Sequence, residues 1–458
     1  MLHSRASDPD PYVPHHGARD YVVDHYTLGL RYRVEPNRLE GRATLEVRAL
    51  ETVEELRLDL VGLRVGRVEV DGARARFTQR KRSVRVRLAE PLQADGTATV
   101  EITYAGNPAP DGGTWGDVGW EELTEGSLVA GQPTGAPTWF PCNDHPGYKA
   151  TYDLTVTADA AYTVVANAPL RHVRRRAGTR TWTFERTEPM CTYLATVQVG
   201  PYDVVALGGQ AQVARSSAHA AGVTHDLDRH DELFAVFEGL FGPFPFAAYT
   251  VVVTPDELEI PLEAHGTSVF GANHLDGTKG SDRLVAHELA HQWFGNSVSV
   301  RAWQDIWLNE GFACYAEWLW SEASGGPTAD ELAREHHGRL SELDEDLVLA
   351  DPGPRHMFDD RVYKRGALTL HTLRLVLGDD AFFGLLRTWT DRYRHGHATT
   401  GDLRSLAAEV AAELTAPRAD VDDLLHRWLD EEALPDLPSR DPATSRGADL
   451  RARAARRS

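Results

Sequence analysis

The hydrophobic period of this chain changes once along its length, and that change limits what the chain can fold into. From Tyr21 to about Tyr104 apolar residues fall at every second position, as in TLGLRYRV, ATLEVRAL, RSVRVRL and TATVEITY. Each segment then has one apolar and one charged face, the pattern of antiparallel strands solvated on one side. VDGA and ADGT supply turns between them. A second run of this kind, with ATYDLTVTA, YTVVANAP, TRTWTFERT and YLATVQVG, extends from about Ala150 to Val205. Together they predict an all-β domain over residues 21–206. HDELFAVFEGLFG (230–242) then predicts a helix stopped by Gly-Pro, and TVVVTP (250–255) a strand. From Ser281 the period is near 3.6, predicting helices over 283–296, 307–322, 328–345, 361–377, 379–393, 400–414 and 420–431. A mainly helical domain over 207–437 follows from this. Residues 1–20, polar and rich in Pro and His, are expected to form a flexible arm. Residues 438–458, rich in Pro, Asp and Arg without periodicity, are expected to be disordered.

The net charge of −20 argues against general nucleic-acid binding, which needs a basic footprint. It suits cationic partners, including the free amino ends of peptides. No run of about 18 apolar residues occurs, so no membrane span or membrane partner is expected. The amino terminus has no apolar core of the signal-peptide kind. Cys142, Cys191 and Cys314 form no C-x-x-C pair and cannot build a disulfide framework. Free thiols fit a reducing compartment, and the expected location is cytoplasmic.

Within the predicted helix 283–296, VAHELAHQWFGN places His287 and His291 four residues apart. On a helix they share a face and can present imidazole nitrogens to one ion. Glu288 sits beside that ion rather than on it, where it can accept a proton from the attacking water. A catalytic zinc takes three protein ligands and keeps one position open. Glu310, in WQDIWLNEGFACYAE, lies 19 positions after His291 and can return to the metal on a second helix. Asp305 and Asn309 are the candidates to orient the histidines from behind. Trp293, Trp303 and Trp307 are expected in the core.

HELAHQWFGN and NEGFA, with eighteen residues between His291 of the first and Glu310 of the second, resemble the gluzincin zinc aminopeptidases of the aminopeptidase N and leukotriene hydrolase type. The resemblance extends over residues 20–437 and implies an N-terminal antiparallel β-sandwich before a mainly helical, thermolysin-like metallopeptidase domain. It implies one zinc per chain on His287, His291 and Glu310, with Glu288 as base. RVYKRGALTLHTLR resembles the family's Y-x-K-G segment, which makes Tyr363 the implied oxyanion donor. ELEIPLEAHGTSVFG resembles its G-A-M-E-N loop. Glu263 is kept there, while Ile260-Pro261, Leu262 and Ala264 replace Gly-Ala, Met and Asn. Its implied role is to bind the substrate ammonium, and the departures put the backbone share of that loop's work in question. GQPTGAPTWFPCNDHPGYKATYDL resembles a segment that would bring Gln132 to the same amino end. Many members carry a large helical domain after the catalytic one, and this chain resembles a short form without it.

The leading expectation is therefore an aminopeptidase acting on peptides with free amino termini. An open-cleft endopeptidase or oligopeptidase is the enzymatic alternative. A non-catalytic interaction protein on the same fold is the alternative of another class, opposed by the retention of His287, Glu288, His291, Glu310 and Tyr363 together.

Overall fold

Alternation becomes burial in the first strand, β1 (Tyr21–Arg33), where Tyr26, Leu28, Leu30 and Tyr32 point inward and Thr27, Gly29, Arg31 and Arg33 point out. The structure is a computed structural model that describes residues 10–414, 418–438 and 450. The rest of the predicted arm and tail lies outside the described residues. Residues 17–18 are tied down: Gly17 N donates to Asp59 Oδ2 (2.7 Å) and Ala18 N to Asn143 Oδ1 (2.7 Å).

The chain forms two compact units, residues 1–225 with 246–278, and residues 226–245 with 279–458. In the first, β1 pairs with β2 (Arg38–Ala49) in an eight-stranded sheet. The other members are β3 (Arg64–Val70), β4 (Ala73–Arg74), β5 (Thr97–Gly106), β6 (Thr151–Asp159), β7 (Leu170–Arg176) and β8 (Thr179–Phe184). The order is β7-β8-β6-β1-β2-β5-β3-β4. Every neighbouring pair is antiparallel except β1 with β6, which brings the two β-rich runs together with His25 opposite Thr151. The apolar face meets a five-stranded sheet, with Tyr32 edge-on to Trp120 at 4.8 Å. Tyr26 stacks on Tyr152 at 4.9 Å across the parallel pair.

A third sheet in this unit is mixed. It contains β9 (Asp203–Gly208), β10 (Ala211–Arg215), β11 (Tyr249–Val253), β12 (Leu262–Ala264) and β13 (Thr267–Phe270), in the order β9-β10-β11-β13-β12. All five residues of β11, YTVVV, are buried, as befits a strand with parallel neighbours on both sides.

The second unit is helical: α1 (His230–Phe241), α2 (Asp282–Ala290), α3 (Trp307–Ser324), α4 (Ala329–Leu340), α5 (Asp360–Leu377), α6 (Asp379–Arg392), α7 (Thr400–Glu413) and α8 (Arg418–Asp430). Fifteen of the eighteen residues of α3 are buried, so it is the central helix, enclosed on all sides and apolar except along the face that carries Glu310 and Glu317. It crosses α5 with almost no gap. A Cβ added to Gly311 would lie 2.8 Å from Gly366 Cα, and one added to Gly366 would lie 2.7 Å from Gly311 Cα. Only two facing glycines permit this approach. The end of α2 is held by an aromatic cluster in which Trp293 meets Phe241 (5.9 Å) and Phe244 (5.3 Å) and donates Nε1–H to Gly242 O (3.0 Å). Trp293, Trp303 and Trp307 are core residues, as expected.

Candidate metal centre

The helix carrying HELAH is shorter than its sequence predicts. It ends at Ala290, with His291 as its C-cap still in helical geometry, so the two histidines keep their shared face. The chain then turns through Gly295 at φ +112°. A side chain there would meet His291 Nδ1 and the Asn309 amide at 3.3 Å, so this glycine also makes room for the histidine.

Both imidazoles have one nitrogen committed. His287 Nδ1 lies 2.7 Å from Glu317 Oε1, and His291 Nδ1 lies 3.1 Å from Phe294 O. Each acceptor fixes the proton on Nδ1 and leaves Nε2 with its lone pair. The two Nε2 atoms converge on Glu310 Oε2, at 3.6 Å from His287 and 3.4 Å from His291. One ligand atom from each of the three residues lies within 4.8 Å of the others, and all three residues are buried.

Those separations test the fit to an ion. They are longer than a good N–H···O hydrogen bond. Bonds of about 2.1 Å in tetrahedral array hold neighbouring ligand atoms roughly 3.4 Å apart, as found. Two neutral imidazoles and one carboxylate also match the donor chemistry of catalytic zinc. The protonation tendencies agree. Burial lowers the pKa of His287, but hydrogen bonds to Glu310 and Glu317 outweigh it and raise the value to about 9. Burial raises that of Glu310, and the two histidines more than reverse this. The pocket therefore favours a cation between these groups.

Glu288, between the ligand histidines, is buried. Tyr363, on the first turn of α5, lies with its ring 6.1 Å from that of His287 and nearly parallel to it. The Gly311–Gly366 contact sets this arrangement, since Gly311 follows Glu310 and Gly366 lies three residues after Tyr363.

Two assignments need correction. Neither Asp305 nor Asn309 supplies the Nδ1 partner of a ligand histidine. Asp305 Oδ1 accepts from Thr400 N (3.1 Å) and Thr400 Oγ1 (2.6 Å) at the start of α7. Asn309 Oδ1 is buried without a hydrogen bond among the described residues. Glu317 takes the role at His287 and is itself held by Arg283 Nη1 at 3.1 and 3.0 Å. A sequence signal existed: Glu317 lies seven residues after Glu310, two helical turns along the same face.

Glu263 and Gln132 belong to the other compact unit. Glu263 is half-buried on the edge strand β12, opposite Ser268. Gln132 follows the strand Gly126–Ala130, and its Nε2 is buried without a hydrogen bond among the described residues. Both approach the turn 192–194. A Cβ on Gly131 would meet Tyr193 O, and His265 N, just past β12, donates to Leu194 O at 3.3 Å.

A helix presenting two histidines, with a carboxylate returned by a second helix, defines a zinc metallohydrolase. The chain belongs to the M1 peptidases, a zinc metallopeptidase family: residues 225–428 match the peptidase family M1 domain and residues 22–194 the peptidase M1 N-terminal domain. An M1 zinc metallopeptidase from Deinococcus radiodurans superposes with a TM-score of 0.85 at 33% identity, covering 95% of this chain and 100% of that one. Leucyl aminopeptidase of Saccharolobus solfataricus is 24% identical over 447 residues, 90% of this chain and 54% of the relative. Endoplasmic reticulum aminopeptidase 1 of Homo sapiens is 27% identical over 434 residues, 85% and 46% respectively. The chain thus spans about half the length of these curated relatives. No helix among the described residues is long and apolar enough to cross a membrane.

Proposed function

We propose that this protein is an aminopeptidase that releases residues from the free amino ends of peptides, with one zinc on His287, His291 and Glu310. The observation that carries the reading is the convergence of two Nε2 atoms on Glu310 Oε2 at 3.4 and 3.6 Å. When bound, zinc supplies Lewis acidity toward the scissile carbonyl and makes water acidic enough to attack near neutral pH. Glu288 takes the proton of the attacking water and passes it to the leaving amine. The Tyr363 hydroxyl donates to the carbonyl oxygen as negative charge grows there. Glu317 keeps His287 in the tautomer that a ligand needs.

Glu263 pairs with the substrate ammonium, and the buried amide of Gln132 adds a polar contact. Anchoring that end fixes which bond is cut, so the same contacts supply position as well as affinity. The curated relatives above are aminopeptidases by name. A variant of the Deinococcus radiodurans enzyme has been crystallised with the substrate Tyr-Ser-Ala, and two-domain M1 variants with L-arginine and L-tryptophan. Single amino acids are the products that exopeptidase action releases.

The test compares cleavage of free and amino-acetylated forms of one peptide by zinc-loaded protein, with products identified by mass. Stepwise loss from the free form alone supports the proposal. Equal cutting of the acetylated form replaces it with the open-cleft endopeptidase. The three cysteines are buried and free, which supports a cytoplasmic location. Recovery of the protein outside the cytoplasm on cell fractionation would reject that location.

A further inference from the structure

The protein carries a net charge of −20, yet the edge of its largest sheet is strongly basic. β7, LRHVRRR, is the outermost strand, and all seven of its residues are exposed. It contributes Arg171, Arg174, Arg175 and Arg176, and its neighbour β8 contributes Arg180. Among the described residues none of these five arginines has an ion pair or a side-chain hydrogen bond. Of the arginines on the other strands of this sheet, Arg42 is paired with Glu101 and Arg48 with Asp24, while Arg31 and Arg33 stand spaced out along β1 without an ion pair among the described residues.

The ribbon is also costly as built. Arg175 lies directly opposite Arg180 in the register, and like charges in that relation oppose strand pairing. Leu170 and Val173 on the same strand are 47% and 38% exposed. Charge on an edge strand can serve only to repel unwanted strands. One or two charges achieve that, and exposed aliphatic side chains work against it. Five uncompensated arginines beside two exposed aliphatics suit a surface that receives something.

We propose that β7 is a docking edge for an acidic, extended segment of a partner protein, which adds to the sheet as a further strand. Two features select this occupant. An edge strand offers unpaired backbone N–H and C=O groups, which an extended peptide can satisfy and a nucleic acid cannot. Side chains along β7 alternate, with His172, Arg174 and Arg176 on one face and Val173 and Arg175 on the other. A strand added edgewise meets cations above and below the sheet, and its apolar residues can cover Val173. A polyphosphate laid on one face meets only one set. This inference is independent of the peptidase activity.

The test uses the intact protein and a fluorescent peptide of alternating glutamate and valine, acetylated and amidated so that the metal centre does not process it. Binding is read by anisotropy. We expect saturable binding that weakens with salt, and that weakens at least about tenfold when Arg174→Glu and Arg176→Glu are combined. Two further peptides carry N-methyl groups on alternate amides, one in each register. One of the two should lose at least about tenfold in affinity, because one register faces the sheet edge. These peptide arms need no variant, so they stand even if the double substitution fails to fold. Absence of saturable binding overturns the proposal. Equal binding by both N-methylated peptides and the parent also overturns it, as attraction by charge alone. Tighter binding of oligouridylate than of the parent peptide makes the edge a nucleic-acid surface and overturns it as well.

Discussion

The crossing of α3 and α5 at Gly311 and Gly366 yields a prediction whose sign separates local preference from packing. In an exposed helix interior, replacing glycine by alanine stabilises by up to about 1 kcal/mol. Gly338 in α4, which is exposed, and Gly384 in α6, which is half-buried, both have open space around them, with no atom within 4 Å of an added Cβ. Gly338→Ala and Gly384→Ala should each stabilise by roughly 0.5–1 kcal/mol. At Gly311 the added Cβ would lie 2.8 Å from Gly366 Cα and 3.0 Å from Gly366 C, all backbone. Ordinary carbon contact begins near 3.5 Å, so the helices must part by roughly 0.7 Å. Overpacking of that kind costs about 1–3 kcal/mol. Subtracting the helix preference leaves a net loss of up to about 2 kcal/mol, or a few degrees in Tm for a unit of this size. The functional effect should exceed the stability effect. Gly311 follows Glu310, and ligand distances tolerate only about 0.2 Å, so zinc affinity should fall together with kcat. Differential scanning fluorimetry and competition with a chromogenic zinc chelator measure both quantities on the same samples. If Gly311→Ala is as stable as Gly384→Ala and binds zinc as tightly as the parent, the close crossing does not set the site.

Other substitutions probe single groups. Glu317→Gln should weaken zinc binding by about 10–100-fold while leaving secondary structure intact, as chelator competition and circular dichroism would report. Glu288→Gln should keep the zinc and lower kcat at least about a hundredfold, and loss of the metal with activity would reassign the residue. Tyr363→Phe should lower kcat by roughly 10²–10³ with a smaller change in KM. Asp59 supplies a pH prediction away from the metal. Burial and the nearby Asp144 raise its pKa to about 6 against the pull of Arg57 and His16. Its folded value lies above its unfolded one, so the fold loses stability as pH rises from about 4 through 6, by on the order of 2–3 kcal/mol. Asp59→Asn removes this dependence, so its Tm relative to the parent should be most favourable above about pH 7 and decline toward pH 4. A difference that stays constant with pH refutes that role.

Legibility in the sequence followed locality. The clustering of His287, His291 and Glu310 was legible, the two histidines by their spacing within one helical turn and Glu310 by a distance that one connection can span. The helices from Trp307 to Asp430 were legible because their apolar faces keep one period, and their observed ends differ from the expected ones by a few residues at most, most of all in α4. Strands β10, β12 and β13 were not legible. Each has three to five residues, too short for alternation to stand out, and β10 and β13 also pair in parallel with β11, a strand distant from β10 in sequence. The parallel pairing of β1 with β6 was hidden for the same reason, since alternation gives the face of a strand but not its neighbour. The partner of His287 was not legible because Asp305 and Asn309 lie beside Glu310 in sequence, whereas the helix carries the same face forward two turns to Glu317.

That last case shows how the site acquires its rigidity. Glu310 and Glu317 project from one face of α3, one toward the Nε2 atoms and the other onto His287 Nδ1. A single helix therefore holds Nδ1 of one imidazole through Glu317 and faces its Nε2 with Glu310 at 3.6 Å, and Arg283, one turn before that histidine on α2, closes the loop onto Glu317. Any slide of α3 along its axis would move both carboxylates the same way and strain His287 at both ends. The glycine crossing lets α5 approach α3 closely beside Glu310, and Tyr363 lies within a turn of that contact. Register between α2 and α3 is thus fixed by Glu317, which binds His287 and Arg283 of α2 together. Depth between α3 and α5 is fixed by two missing side chains. The convergence of His287, His291 and Glu310 needs the first, and the placement of Tyr363 beside them needs the second.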